Sequence, residues 1–159
     1  MFFATSPDEL PSFDEMLARS GLEFMTDMLN GVISGPPIAD LLNFRLHAVE
    51  KGSVTFAGAP KFNASNPMGT VHGGWYGTVL DSAMACSVMT MLPQGSIYTT
   101  AEFKVNIIRG ITLDQEVLIK GVVDHCGRTT GVATAQIFGR DDGKLYATGS
   151  TTCVIMRPK

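Results

Sequence analysis

In the strand signal over 97–108, Ile97, Ala101, Phe103, Val105 and Ile107 alternate with Tyr98, Thr100, Glu102, Lys104 and Asn106. A period of two is that of a strand with one face buried. Residues 115–124, 129–138 and 145–156 carry further strand signals, and Asp141-Asp142-Gly143-Lys144 supplies a hairpin turn between the last two. Upstream, 44–50 and 53–59 read as two strands turning at Lys51-Gly52. The links between the strands after position 97 are too short for crossover helices, so the sheet is expected to be antiparallel.

Two regions have a different rhythm. Residues 6–31 read as helical: Ser12 with Glu15 forms a capping-box pattern, Ser6-Pro7-Asp8-Glu9 is a second start signal, and Asn30-Gly31 is a stop. Phe13, Met16, Leu17, Phe24, Met25, Met28 and Leu29 supply its apolar positions, with Gly21 as a weak point, and Gly35-Pro36-Pro37 then forces an irregular crossing. A second, longer helix is expected from near Gly73 until Pro93-Gln94-Gly95 ends it. Asp81 is the only charged residue between Gly73 and Leu92, a length that would span a membrane. Thr78, Ser82, Ser87 and Thr90 dilute that stretch, Gly77 interrupts it and no basic residues flank it, so a helix buried in a soluble domain fits better. The expected class is α+β, an antiparallel sheet wrapped around one long helix. At 159 residues the chain suits a single domain, with 1–42 as a helical extension packed on 43–159.

Composition narrows the partners. Net charge is −3 with no basic run, which argues against nucleic acid, and a charged fraction of 17% is low enough to suit an oligomer with covered surface. The N-terminus has neither a basic region nor a sustained apolar run of the secretory type. Cys86, Cys126 and Cys153 form no close pair, so a reducing cytoplasm is the expected location, with no disulfide framework. His125-Cys126 invites a metal reading, but His47 and His72 are not at ligand spacing, and no metal is expected. There is no GxSxG elbow or phosphate-binding loop.

The chemistry concentrates in Asn66-Pro67-Met68-Gly69-Thr70-Val71-His72-Gly73-Gly74 and in Asp81. Glycines at a helix start expose backbone N–H groups that, with the helix dipole, can receive an oxyanion; equally, they can form a tight turn into a packed helix. Asp81 sits among Val79, Leu80, Ala83, Met84 and Ala85, where a carboxylate needs a partner or a use. Gly73 and Asp81 are eight residues apart, about 12 Å along a helix, too far for one acyl carbonyl to touch both in one chain. A two-fold dimer with antiparallel helices would bring each Gly73 to the partner's Asp81.

The pattern Asn66-x-x-Gly69-x-x-His72-Gly73-Gly74 followed by Asp81 resembles the hotdog-fold thioesterase superfamily, in particular its PaaI (phenylacetic acid degradation) subgroup. The likeness continues through Leu92-Pro93-x-Gly95, Thr99-Thr100-x-Glu102-Phe103-Lys104-Val105-Asn106 and Gly127-Arg128, and covers most of the chain. It implies an acyl-CoA thioesterase without a cofactor, coenzyme A being part of the substrate, working as a homodimer or tetramer. Asp81 then matches the general base or nucleophile, and the Gly73 N–H polarises the thioester carbonyl. His72 and Asn66 match residues that hold the loop and thioester, and Thr100 matches a hydroxyl beside the carboxylate. The strand period puts Thr100 on the more polar face, so Thr99 could take its place if a bulge shifts the register. Gly74, Gly127, Arg128 and Thr129 are candidates for binding the substrate. Trp75, Tyr76, Met84 and Met89 could line an acyl pocket or could be plain core. The competing readings are a hotdog hydratase or dehydratase of acyl thioesters and a non-catalytic acyl-CoA-sensing domain.

Overall fold

The computed structural model describes residues 2–158. Three short helices, α1 (Phe13–Leu17), α2 (Gly21–Leu29) and α3 (Pro37–Leu41), precede strands β1 (Phe44–Glu50) and β2 (Ser53–Gly58). A loop leads into the long helix α4 (Gly73–Met89), followed by β3 (Ile97–Ile107), β4 (Val117–Cys126), β5 (Thr130–Gly139) and β6 (Leu145–Met156). The strands form one sheet in the order β1-β2-β4-β5-β6-β3, with every neighbouring pair antiparallel. The sheet wraps α4, the expected α+β hotdog architecture. No helix among the described residues is long and apolar enough to cross a membrane.

Helix α4 is buried nearly all round, and Val79, Leu80, Ala83, Met84 and Val88 are fully enclosed. Its distance from the sheet is set by glycines on the sheet's inner face. A Cβ on Gly121 of β4 would stand 2.2 Å from the Ala83 carbonyl oxygen, and one on Gly131 of β5 would stand 2.5 Å from a Val88 methyl. Ser87 lies at this contact, donating to the Ala83 carbonyl at 2.7 Å and accepting from the Val54 N–H of β2 at 3.0 Å. The helix is thereby hydrogen-bonded to the sheet as well as packed on it.

The N-terminal region departs from the single helical stretch expected over 6–31. A 3-10 turn at Pro7–Glu9 is followed by α1 and α2, each with its own capping box: Ser12 with Glu15, and Ser20 with Glu23. The second box stops the first helix and restarts the chain. Docking explains the break, because the Gly21 N–H donates to the Leu92 carbonyl at 2.9 Å and a Cβ on Gly21 would overlap the Met89 carbonyl oxygen. Asn30-Gly31 does end α2, with Gly31 at a φ of 76°. The remaining expected elements lie within a few residues of the observed ones.

Strand β3 carries the second departure. Its pairing with β6 shifts between Thr100 and Glu102, a bulge at Ala101. Tyr98 and Thr100 pair with Ile155 and Cys153, whereas Phe103 and Val105 pair with Thr151 and Gly149. Ile155, Cys153 and Thr151 are all buried, so Tyr98, Thr100, Phe103 and Val105 share the face toward α4. The bulge therefore moves Thr100 from the polar face onto the helix side. Thr99 pairs with the exposed Val154 and points away.

Because the atom nearest to a Cβ on Gly121 belongs to the α4 backbone, Gly121→Ala must push helix from sheet. Urea unfolding is expected to show a loss of about 1–3 kcal/mol, the usual range for overpacking. An unchanged midpoint would mean that α4 can shift freely.

Candidate active site

Asp81 lies midway along α4, half-buried, on the face turned toward β3. Its Oδ1 accepts a hydrogen bond from the Thr100 hydroxyl at 2.9 Å, and no donor among the described residues is placed on Oδ2. Burial pushes the Asp81 carboxyl above its ordinary range, and the Thr100 hydrogen bond opposes that rise. The bulge in β3 is what makes this pair, since without it the hydroxyl would face the other way.

The start of α4 is built differently. His72 is the N-cap, and its Nδ1 accepts the Gly74 N–H at 2.8 Å. The Trp75 N–H is taken by the His72 carbonyl at 3.0 Å. With Nδ1 accepting, a neutral His72 ring carries its proton on Nε2. Gly73 is exposed and its N–H has no acceptor among the described residues. Of the first three N–H groups of the helix, only that of Gly73 remains available.

The loop before the helix is held by Asn66. Its Oδ1 accepts from the N–H groups of Met68 (3.0 Å) and Thr70 (3.2 Å), and its Nδ2 donates to the Thr70 hydroxyl at 2.8 Å. Gly69, at a φ of 75°, closes the turn, and the His72 N–H donates to the Ala64 carbonyl at 2.8 Å. Asn66 thus fixes the approach to His72 and Gly73, with its amide engaged inside the loop.

Within one chain these residues fall into three groups. Asn66, His72, Gly73 and Gly74 gather at the N-terminal end of α4, and Asp81 with Thr100 lies about 12 Å further along it. Gly127, Arg128 and Thr129 form the turn between β4 and β5, beside the C-terminal end of α4, where Gly131 packs on Val88. The Gly127 N–H donates to the Thr130 carbonyl at 2.8 Å, while the Arg128 side chain is exposed and forms no ion pair among the described residues.

The comparisons with known proteins bear on this arrangement. Residues 68–146, which include the HGG turn, Asp81 and Thr100, match the family model described as the thioesterase superfamily. The chain belongs to the thioesterase superfamily. Among solved structures, a phenylacetic acid degradation-related protein from Ralstonia eutropha JMP134 is 26% identical, with a TM-score of 0.75 over 82% of this chain and 98% of that one. The PaaI protein of the E. coli phenylacetic acid degradation operon is 17% identical, with a TM-score of 0.74 over 86% of this chain and 96% of that one. A hypothetical thioesterase protein of Streptococcus pneumoniae TIGR4, solved with coenzyme A, is 24% identical, with a TM-score of 0.66 over 74% of this chain and 91% of that one. No match was found among curated proteins.

Within this superfamily fold, the aromatic and methionine candidates on α4 divide. Trp75, Tyr76 and Met84 are core: the Trp75 indole donates to the Leu42 carbonyl at 2.9 Å, and the Tyr76 hydroxyl accepts the Ile111 N–H at 2.7 Å. Met89 instead lines a cavity with residues from α1 and α2. Sequence reasoning missed that cavity, although Met16, Met25 and Met28, which also line it, stood out as apolar positions.

A carboxyl whose folded pKa is raised stabilises the fold only while protonated, and that stability is lost as pH rises from the ordinary aspartate range through the raised value. Asp81→Asn should therefore raise the melting temperature at pH 7, with the gain shrinking on acidification. Thr100→Val removes the opposing hydrogen bond and should move the Asp81 carboxyl titration, followed by carbon NMR, further up. A downward move would contradict the assigned contact.

Proposed function

We propose that the chain hydrolyses an acyl-CoA to the free acid and coenzyme A, at a site shared between two copies. The observation that carries this reading is the pairing of two incomplete halves on α4. One half is an unpartnered Gly73 N–H at the positive end of the helix; the other is a half-buried carboxylate with one oxygen held by Thr100 and one free. The coenzyme A bound to the Streptococcus pneumoniae relative supports the substrate class.

In this mechanism the thioester oxygen accepts from the Gly73 N–H, which stabilises the negative charge that develops when the carbonyl carbon becomes tetrahedral. Asp81 takes a proton from water through Oδ2 as the water oxygen attacks. The C–S bond then breaks, and the sulfur leaves with that proton as the coenzyme A thiol. Thr100 keeps the carboxylate oriented, and burial makes it a stronger base than an exposed aspartate. The same free oxygen could instead attack the carbonyl carbon directly and form an anhydride, which water then opens. His72 and Asn66 position the loop.

Two features support the shared site. Strand β3 is an eleven-residue sheet edge, and its Phe103 is 45% exposed. Such an edge invites pairing with a second copy. The face of α4 that its own sheet leaves open carries the small residues Gly74, Thr78 and Ser82 along with Asp81. Two such faces packed antiparallel about a two-fold axis bring each Gly73 to the partner's carboxylate. Arg128, exposed in the β4–β5 turn, is the proposed contact for the coenzyme A phosphates.

Gly73→Pro tests the donor, because the first position of a helix tolerates proline, and the change removes the N–H and sets a ring methylene in its place. Gly73→Pro and Asp81→Asn should each lower thiol release from acyl-CoA by about 10²–10⁴-fold, the usual range for such groups. Mixing the two inactive variants under subunit exchange should restore about a quarter of wild-type activity, from mixed dimers with one intact site. No recovery would place both groups in one chain. No thiol release by the wild type with any acyl-CoA would favour the hydratase or sensing readings.

A further inference from the structure

A cavity of about 320 Å³ lies between the N-terminal helices and the main body, and the hydrolytic step makes no use of it. Met16, Met25 and Met28 of α1 and α2, Leu46 of β1 and Met89 of α4 form its walls. Ser82, Cys86 and Tyr98 lie at the end nearest the carboxylate. Ser82 follows Asp81 in the chain, and Tyr98 is two residues before Thr100 on the same face of β3, about 7 Å away. The cavity and the reactive carboxylate therefore adjoin.

The wall presents no charge. The Ser34 hydroxyl donates to the Glu9 carbonyl at 2.6 Å, and the Ser82 hydroxyl donates to the Thr78 carbonyl at 2.8 Å. Burial pushes the Cys86 thiol up to about 12 and the Tyr98 phenol well above its ordinary value, so both stay neutral. Both serine hydroxyls on the wall thus already have acceptors. Four methionines give the wall unbranched, rotatable side chains that adapt to a flexible occupant, beside the rings of Phe24, Phe44 and Phe56.

Size sharpens the choice. An apolar cavity of about 150 Å³ holds benzene, and this one has about twice that volume. A liquid water takes about 30 Å³ and a methylene group is of similar size, so there is room for about ten.

We propose that this cavity is the acyl subsite, and that it selects linear aliphatic chains of about eight to twelve carbons over phenylacetyl-type groups. The inference rests on the thioesterase reading and extends it. The chain enters past Ser82, Cys86 and Tyr98 in the copy that supplies Asp81, and ends among the methionines of α1 and α2.

Calorimetry on full-length Asp81→Asn protein, which should bind without turnover, tests the subsite with butyryl-, decanoyl- and phenylacetyl-CoA. Decanoyl-CoA should bind more than 100-fold tighter than butyryl-CoA, since each methylene buried is worth about fourfold. Phenylacetyl-CoA should fall between them. Adding Met28→Trp, which fills the cavity from a half-buried position, should cut decanoyl-CoA affinity at least tenfold and leave butyryl-CoA unchanged. Met16→Trp, on a different helix, provides the same test if the first variant does not fold. Equal affinity for the butyryl and decanoyl thioesters, or fillings that do not touch the difference, would overturn the subsite. Hydrolysis without chain-length preference removes the subsite and leaves the thioesterase reading intact. Chain-length-dependent binding with no hydrolysis by the wild type removes the thioesterase reading and retains the cavity as an acyl site.

Discussion

An α-helix is a rigid ruler, and α4 places Gly73 and Asp81 about 12 Å apart on it. No side-chain rotation closes that gap, because one of the two groups is a backbone N–H. In the proposed mechanism, a carbonyl that meets both the Gly73 N–H and the Asp81 carboxylate therefore lies between two helices. The proposed dimer follows from that length, and so does the character of the open face of α4. Gly74, Thr78 and Ser82 are small, which lets a second helix come close without displacing the carboxylate beside them.

The same helix could not serve if it stood further from its sheet. Gly121 and Gly131 draw α4 against β4 and β5, and the close approach buries Val79, Leu80 and Ala83, while Asp81, turned toward the edge strand β3, stays half-covered. Half-burial sets the carboxyl's character: desolvation makes it more basic, and the Thr100 hydrogen bond limits how far. Packing and reactivity thus share one cause. A carboxylate placed among Ala83, Met84 and Val88 would be neutral at physiological pH, and one fully in water would be a weak base.

Much of this was legible in the chain because the signals were local. The HGG turn, the lone acid in an apolar helix and the period-two strands each state their structure within a few residues. The parts that were not legible depend on contacts distant in sequence. The bulge at Ala101 inverts the phase of β3 and brings Thr100 to Asp81, yet the alternation around it reads straight through, because the bulge depends on pairing with β6. The break between α1 and α2 is marked locally by Ser20 and Glu23, but its reason is the carbonyls of Met89 and Leu92, about seventy residues away. The cavity could not be read at all, since a methionine facing a void and a methionine in a packed core share the same helical spacing.

That void raises the question of what keeps it open. Flexible methionines on α1 and α2 could fold inward if the segment were free to settle on the sheet. Backbone hydrogen bonds prevent this at its borders: the Gly21 N–H to the Leu92 carbonyl, the Gly95 N–H to the Leu17 carbonyl, and the Ala4 N–H to the Gly35 carbonyl. Directional bonds of this kind fix the frame, while the apolar side chains inside it keep rotational freedom. Two of the three anchor the junction of α1 and α2 to the chain just after α4, so the roof over the cavity is tied to the helix that carries Asp81. An occupant that fills the space then gains apolar contact without having to order the frame around it, which is the energetic advantage of a preformed pocket.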